Sequence, residues 1–212
     1  MNKEDILKHY SESLLKDDKP SSVHAFCERI GLEEKAFYDH FASLEAVEAG
    51  ILMSFQQNAI DLTLGAKDQL IQNDDTESAK VMLLTFYMSY IEILTANRSV
   101  VLMLVPKKDL ESMKRLRSLK PLKEHFLEFV KGLDVKFTSL DFIPAEQVKN
   151  RAIDEAAWLQ YISILGFWLK DDSQGFERTD IFIEKSLKFS FDLAQSETLS
   201  SLFDLGKFMF KK

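Results

Sequence analysis

The stretch from Ser22 to Ala46 constrains this chain more than any other. It runs Ser22-Val23-His24-Ala25-Phe26-Cys27-Glu28-Arg29-Ile30, then Gly31-Leu32, then Glu33 to His40, then Phe41-Ala42-Ser43-Leu44-Glu45-Ala46. Ser22 is a helix N-cap residue, and Val23, Phe26, Cys27 and Ile30 recur at helical spacing. Gly31 is the residue type that closes a helix with a positive φ. A second helix must begin almost at once, at Glu33, and Ser43 caps a longer one. Two short helices joined by so tight a glycine turn predict a helix-turn-helix.

The rest of the chain keeps the same period. Glu4 to Lys16 sets Ile6, Leu7, Tyr10, Leu14 and Leu15 on one face, an amphipathic helix ended by Asp17-Asp18-Lys19-Pro20. From Leu44, the series Val47, Ile51, Phe55, Ala59 and Leu62 predicts one helix to about Gln72. Asn73 to Glu77 is a polar break in which Asp74 and Glu77 have capping-box spacing, and the charge-free Val81–Ile91 that follows should be buried on most sides. Arg98 to Val105 is a short apolar segment closed by Pro106. Residues 107–123 carry seven Lys/Arg against two Asp/Glu, a local net of +5, and Pro121 should kink or restart the helix that ends at Gly132.

Asp134 to Ile143 reads as a loop, and Pro144 as the first residue of a helix to about Lys170. Asp171 to Gly175 is a turn. The next helix, about Thr179 to Ala194, shows two adjacent apolar stripes: Phe182, Phe189 and Leu193 form one, and Ile183, Leu187 and Ala194 the other. Glu184 and Lys188 are placed to pair at i,i+4. The tail, with Leu199, Leu202, Phe203, Phe208 and Phe210 among Lys207, Lys211 and Lys212, reads either as a final core-covering helix or as an amphipathic segment for a membrane or partner. Strand signals are nearly absent, so the fold class is all-α.

A chain of 212 residues with 46% hydrophobic content can bury a real core, in one large or two small domains. Met1 to Asp5 is too polar to begin a signal peptide, and the longest charge-free run, Ala156 to Leu169, falls short of the roughly 20 residues that span a bilayer. A soluble, cytoplasmic protein is expected. The single cysteine, Cys27, excludes an internal disulfide and, without partners, a thiolate zinc site. His9, His24, His40 and His125 are scattered; His24 and Glu28 could touch one metal but lack further ligands, so no metal and no cofactor is expected. With no phosphate-cradling glycine loop, no nucleophile elbow and no cysteine-histidine pair, nothing points to an enzyme or a catalytic residue.

Val23, Gly31, Tyr38, His40, Phe41, Ser43, Glu45 and Ala46 together resemble the N-terminal signature of the tetracycline-repressor (TetR) family. In that signature a valine opens a helix, glycine-valine-serine follows, then tyrosine-x-histidine-phenylalanine, then serine-lysine-glutamate. The resemblance is close over about 25 residues and looser over the helical plan. It implies a DNA-binding head at residues 1–46 and a helical ligand-binding and dimerisation domain at 47–212. DNA contacts are then expected from Lys19, Ser21, Ser22, Lys35, Ala36, Tyr38 and His40, although Tyr38 could instead pack on the first helix of the motif and His40 bond locally.

The resemblance also implies a pocket for a small effector, walled here by Phe86, Tyr90, Met103, Phe126, Trp158 and Tyr161, which suits a hydrophobic ligand. It further implies a homodimer through the last two long helices, with Ile164, Phe167, Trp168, Phe182, Phe189 and Leu193 at the interface. A repressor that leaves double-stranded DNA when the effector binds is the first reading.

Charge argues for a second. Residues 1–50 hold six Lys/Arg against eleven Asp/Glu, a net of −5 out of −7 for the whole chain, and a polyanion is attracted by the opposite sign. Glu33 stands where the family usually caps the recognition helix with serine, Lys35 and Ala36 replace a small residue and a threonine, and Leu44 replaces the phosphate-touching lysine. Glu33 and Glu34 suit the positive end of the helix but point carboxylates at DNA. The alternative is therefore a protein on the same fold that binds lipid or another hydrophobic ligand and has lost DNA binding.

Overall fold

The computed structural model describes residues 1–70, 75–105, 120–133 and 146–195. The capping-box positions 71–74, most of the +5 stretch, the 134–143 loop, Pro144 and the Phe/Lys tail lie outside them. Among the described residues every regular element is helical: α1 Lys3–Leu15, α2 Val23–Ile30, α3 Glu34–Tyr38, α4 Leu44–Gly65, α5 Lys67–Leu70, α6 Asp75–Ala96, α7 Arg98–Leu104, α8 Lys120–Lys131, α9 Glu146–Lys170 and α10 Glu177–Gln195. The chain is all-α.

The helix starts follow from local chemistry. Asn2 and Asp5 form a reciprocal capping box on α1, Ser22 Oγ accepts the Ala25 N–H at 3.1 Å on α2, and Ser43 Oγ accepts that of Ala46 at 3.2 Å on α4. Pro121 stands in the first described turn of α8, where a missing N–H is tolerated. The helix from Leu44 stops at Gly65, short of the expected Gln72. Glycine costs about 1 kcal/mol inside a helix, and the chain offers no large apolar side chain between Leu64 and Leu70 to offset it.

One continuous core runs from Ile6 on α1 to Phe191 on α10. α4 is its spine: Val47, Ile51 and Leu52 are buried near α1, and Gln56, Ala59, Ile60 and Thr63 near α6 and α8. Gly50 permits the close approach of α1, since a Cβ there would meet Leu7 Cδ2 and Phe41 Cε1 at 3.0 Å. α6 has the length and hydropathy of a membrane-crossing helix, but Met82, Leu83, Phe86, Tyr87, Tyr90, Ile91 and Leu94 are buried within the protein, where it serves as the central core helix.

α9 and α10 pair across a tight turn. Asp171, nearly buried, accepts the N–H and Oγ1–H of Thr179 at 2.9 and 2.6 Å and those of Ser173 at 2.9 and 2.7 Å. Arg98 lies between the rings of Trp168 and Phe176, 4.4 and 4.5 Å from their centroids, and fastens α7 to the same turn. On the wet side Lys188 pairs with Asp192 at 2.7 Å, one turn toward the C-terminus, in place of the expected Glu184.

Candidate DNA-reading head and buried polar core

The head is built on four aromatic rings. Tyr10 meets Phe26 edge-on at 5.5 Å, Phe26 meets Phe37 at 6.2 Å, and Phe37 meets Phe41 at 6.2 Å, so α1, α2, α3 and the start of α4 share one small core. Gly31 adopts φ 66°, and the Leu32 N–H reaches back to the Cys27 carbonyl at 2.9 Å, which turns the chain within two residues. Burial, with Glu34 beside it, pushes the Cys27 thiol up, as befits a small core residue. α3 follows as a helix-turn-helix requires. Its N-cap, Glu33, makes no side-chain bond to the helix, in keeping with loss of the usual serine.

The expected DNA contacts differ in availability. Lys35 is exposed and has no ion pair among the described residues, and Ser21 and His40 are exposed. Tyr38 is 53% exposed with its ring edge against Phe37 at 5.5 Å, so it stands outward from α3 rather than packing on α2. Ala36 is half-buried, and Ser22 spends its hydroxyl oxygen as the α2 cap. Lys19 is held: its Nζ lies 2.7 Å from Oε1 of Glu48, a buried carboxylate on α4 that also accepts the Tyr10 hydroxyl at 2.9 Å. His24 is bound to Glu34 at 2.6 Å, not to Glu28, and Arg29 to Asp18 at 3.0 Å. The outer face of α3 thus shows Glu33, Glu34 and Asp39 against Lys35.

The second site lies behind the head. Five of the six expected pocket residues come together: Phe86 stacks on Tyr90 at 5.6 Å, Tyr90 on Tyr161 at 5.6 Å, Tyr161 on Trp158 at 5.0 Å, and Phe126 lies 4.6 Å from Tyr161. Met103 does not join them. It is 43% exposed on α7, whose inward positions are Val100, Val101 and Leu104. The rings fill their own space, and the void beside Tyr90 is only about 10 Å³.

Through this aromatic core runs a polar chain that periodicity alone missed. His125 Nδ1 lies 2.7 Å from Gln56 Oε1, Gln56 Nε2 donates to the Tyr161 hydroxyl at 3.0 Å and to the Leu122 carbonyl at 3.3 Å, and the Tyr161 and Tyr90 hydroxyls are 2.8 Å apart. The signal in the sequence was Gln56 itself, a polar residue in step with Leu52 and Ala59 on the buried face of α4. Burial pushes the Tyr87, Tyr90 and Tyr161 phenols well above their ordinary range. His125 and Phe129 also line a surface groove of about 350 Å³ between α4 and α8, with Ile60, Leu64 and Leu133. Among the described residues no three His, Cys, Asp or Glu side chains gather as a metal site.

The expected interface residues divide in the same way. Ile164 and Trp168 are fully buried inside the protomer, with Trp168 Nε1–H donating to Thr95 Oγ1 at 3.0 Å, so neither is open to a partner. Their face of α9 turns to α6. Phe167 and Phe182 stack at 4.5 Å, half-buried, Leu193 is half-buried, and Phe189 is 66% exposed beside Ile181 at 49%. Ile183 and Leu187 form the inward stripe of α10 with Phe191.

The sequence model of the family described as Tetracyclin repressor-like, C-terminal domain, matches residues 82–209, more than half of the chain and a span that excludes the head. The chain belongs to the tetracycline-repressor family. The match takes in most of α6 and all of α7 to α10, while the signature residues lie at 23–46, so two separate parts of the sequence carry the kinship. Comparison with curated proteins gives no match. Members of this family are regulators with a helical ligand-binding domain, and the aromatic core described above falls largely within the matched span.

Proposed function

We propose that this member of the TetR family is a homodimeric transcriptional repressor that holds double-stranded DNA through α2 and α3 and releases it when a hydrophobic small molecule enters the aromatic core. The reading rests above all on α4. It is capped inside the head at Ser43 and, thirteen residues on, places Gln56 in hydrogen-bonding contact with Tyr161 and His125. A ligand that changed those bonds would act on the helix that carries the head. The outward stripe of Phe189, Ile181 and the Phe167–Phe182 stack supplies the apolar surface for an isologous four-helix contact between two copies. The protein acts as a regulator rather than an enzyme, in the cytoplasm.

One observation favours the second reading, a hydrophobic-ligand carrier without DNA: Lys19 is already neutralised by Glu48, while Glu33, Glu34 and Asp39 face outward around Lys35. Titration of the protein against mixed genomic duplex fragments at low and moderate salt separates the two. A repressor binds duplex and loses affinity as salt rises. Indifference to duplex at low ionic strength would leave the carrier.

A further inference from the structure

The interior between α6, α8 and α9 contains two phenolic protons that no atom of the described residues accepts. Gln56 Nε2 donates to the Tyr161 oxygen, and a single proton bridges the Tyr161 and Tyr90 oxygens, 2.8 Å apart. Whichever tyrosine donates in that bridge, the proton of the other finds no acceptor among the described residues. Tyr87, one turn before Tyr90 on α6, makes no hydrogen bond to any described residue, and burial alone governs its phenol. All three side chains are 0–1% exposed, so bulk water does not reach them.

Buried hydroxyls are almost always paired, since one left alone keeps its whole desolvation penalty. A trapped water is a poor remedy here: the void of about 10 Å³ beside Tyr90 is walled by Leu52, Leu94, Val101 and Leu165, which give a water nothing to bond.

The groove between α4 and α8 adjoins the same cluster. His125 on its wall is one hydrogen bond from Gln56, and Phe129 lies 5.0 Å from Phe86, which stacks on Tyr90. Its volume of about 350 Å³ suits a molecule of two or three rings. Inside, the Phe86, Tyr90, Tyr161 and Trp158 rings succeed one another within 16–23° of parallel at centroid distances of 5.0–5.6 Å, so a ligand ring must displace one of them to reach the phenols. Glu128 lines the groove, and the α8 lysines Lys123 and Lys131 are paired with Glu155 and Asp154 at 2.7 and 3.0 Å, so these lysines offer an anionic ligand no unpaired charge.

We infer that the effector is a neutral aromatic carbonyl compound, whose rings enter between α4 and α8 and whose carbonyl oxygen accepts the spare protons of Tyr87 and of the Tyr90–Tyr161 pair. The inference rests on the effector-binding half of the proposed function and adds the chemistry that selects the ligand. The raised phenols agree with it, because an interior that resists a phenolate also resists a charged guest.

The test uses three ketones, each with the hydrocarbon of the same shape: benzophenone and diphenylmethane, 9-fluorenone and fluorene, 1-indanone and indane. Each is titrated by calorimetry into the full chain, Tyr87→Phe and Tyr90→Phe. At least one ketone should bind about tenfold more tightly than its hydrocarbon, and Tyr87→Phe should remove most of that preference while leaving the hydrocarbon unchanged, whereas Tyr90→Phe, which frees the Tyr161 proton in place of the one it deletes, should keep it. Ligand-free Tyr87→Phe should melt at the same temperature or higher, since the lost hydroxyl had no partner. A hydrocarbon that binds as well as its ketone in all three proteins would overturn the inference and leave a purely apolar effector site. Failure of all six probes to bind would overturn both the inference and the effector reading. A fall of more than about 3 °C in the melting temperature of Tyr87→Phe would show that the hydroxyl has a structural partner and sink the inference directly.

Discussion

The number of cations at the duplex face sets how steeply DNA binding should depend on salt, and here that number is small. Among the expected contacts only Lys19 and Lys35 carry a lysine's charge, two per head and four in the proposed dimer. Each phosphate neutralised contributes about −0.9 to the slope of log affinity against log salt. Four cations give a slope of about −3.6, or roughly a 150-fold loss between 50 and 200 mM salt; two give about −1.8, or roughly 12-fold. The structure chooses between these values. Lys35 is exposed and unpaired among the described residues, whereas Lys19 would have to leave Glu48, a carboxylate only 5% exposed, with an unneutralised charge. We therefore expect a wild-type slope near −2. Lys35→Ala should flatten it almost completely, since this side chain touches no part of the head core and Phe37 still anchors α3. Glu48→Gln should steepen the slope toward −3.6, because glutamine still accepts the Tyr10 hydroxyl but no longer holds Lys19 by charge. Fluorescence polarisation on a labelled duplex at four salt concentrations measures all three. An unchanged slope in Lys35→Ala would refute the placement of α3 against phosphate, and an unchanged slope in Glu48→Gln would refute the sequestration of Lys19.

Three further outcomes follow from other parts of the molecule. Burial by itself would raise the Asp171 carboxyl, but the bonds from Thr179 and Ser173 outweigh it and hold the pKa at about 2. A depressed carboxyl stabilises the fold above its ordinary pKa, so about 2–2.5 kcal/mol should be lost as pH falls from about 5 to 1; Asp171→Asn should cost a similar amount in urea unfolding at pH 7 and flatten that acid dependence. Phe189→Glu should leave the melting temperature of the protomer unchanged, because the side chain is 66% exposed, but weaken self-association in sedimentation velocity; an unaltered dimer would exclude the outward face of α10 as the contact. Gly31→Ala meets no atom within 4 Å, so its cost is that of a left-handed alanine alone, about 1–2 kcal/mol by chemical denaturation, and a neutral result would contradict the turn geometry.

What the sequence disclosed and what it withheld divide along physical lines. Caps and turns are local: Ser22, Ser43 and Gly31 each act on backbone groups within five residues, and each was legible. Helix periods were equally legible, because a buried face repeats every few residues whatever it packs on. The choice of neighbour is not local. On α9 and α10 apolar side chains surround much of each helix, and nothing in the spacing tells that Trp168 turns to Thr95 on α6 while Phe189 turns to solvent. Met103 enters the expected pocket through the family resemblance, although α7 buries Val100, Val101 and Leu104 instead. The polar chain lay furthest from view, since Gln56 meets His125 and Tyr161 across 69 and 105 residues.

The acidic head and the family kinship need not conflict once the charges are located. Of the basic side chains around the motif, Lys19, Arg29 and His24 are each turned toward a carboxylate of the head itself: Glu48, Asp18 and Glu34. All three pairs tie separate parts of the head together: His24 on α2 to Glu34 on α3, Lys19, between α1 and α2, to Glu48 on α4, and Arg29 on α2 to Asp18 in the α1–α2 connection. Acidic residues that look hostile to DNA in the sequence thus partly serve to fix α2 and α3 relative to α4. The Lys19 and Arg29 pairs also occupy cations that would otherwise attract any duplex without regard to sequence. On the proposed function, a head of this kind gains little from phosphate and draws its affinity from fit and from what Lys35, Tyr38 and His40 read. Such a head suits weak general binding and release by a modest displacement of α4, the helix whose Gln56 is hydrogen-bonded into the aromatic interior.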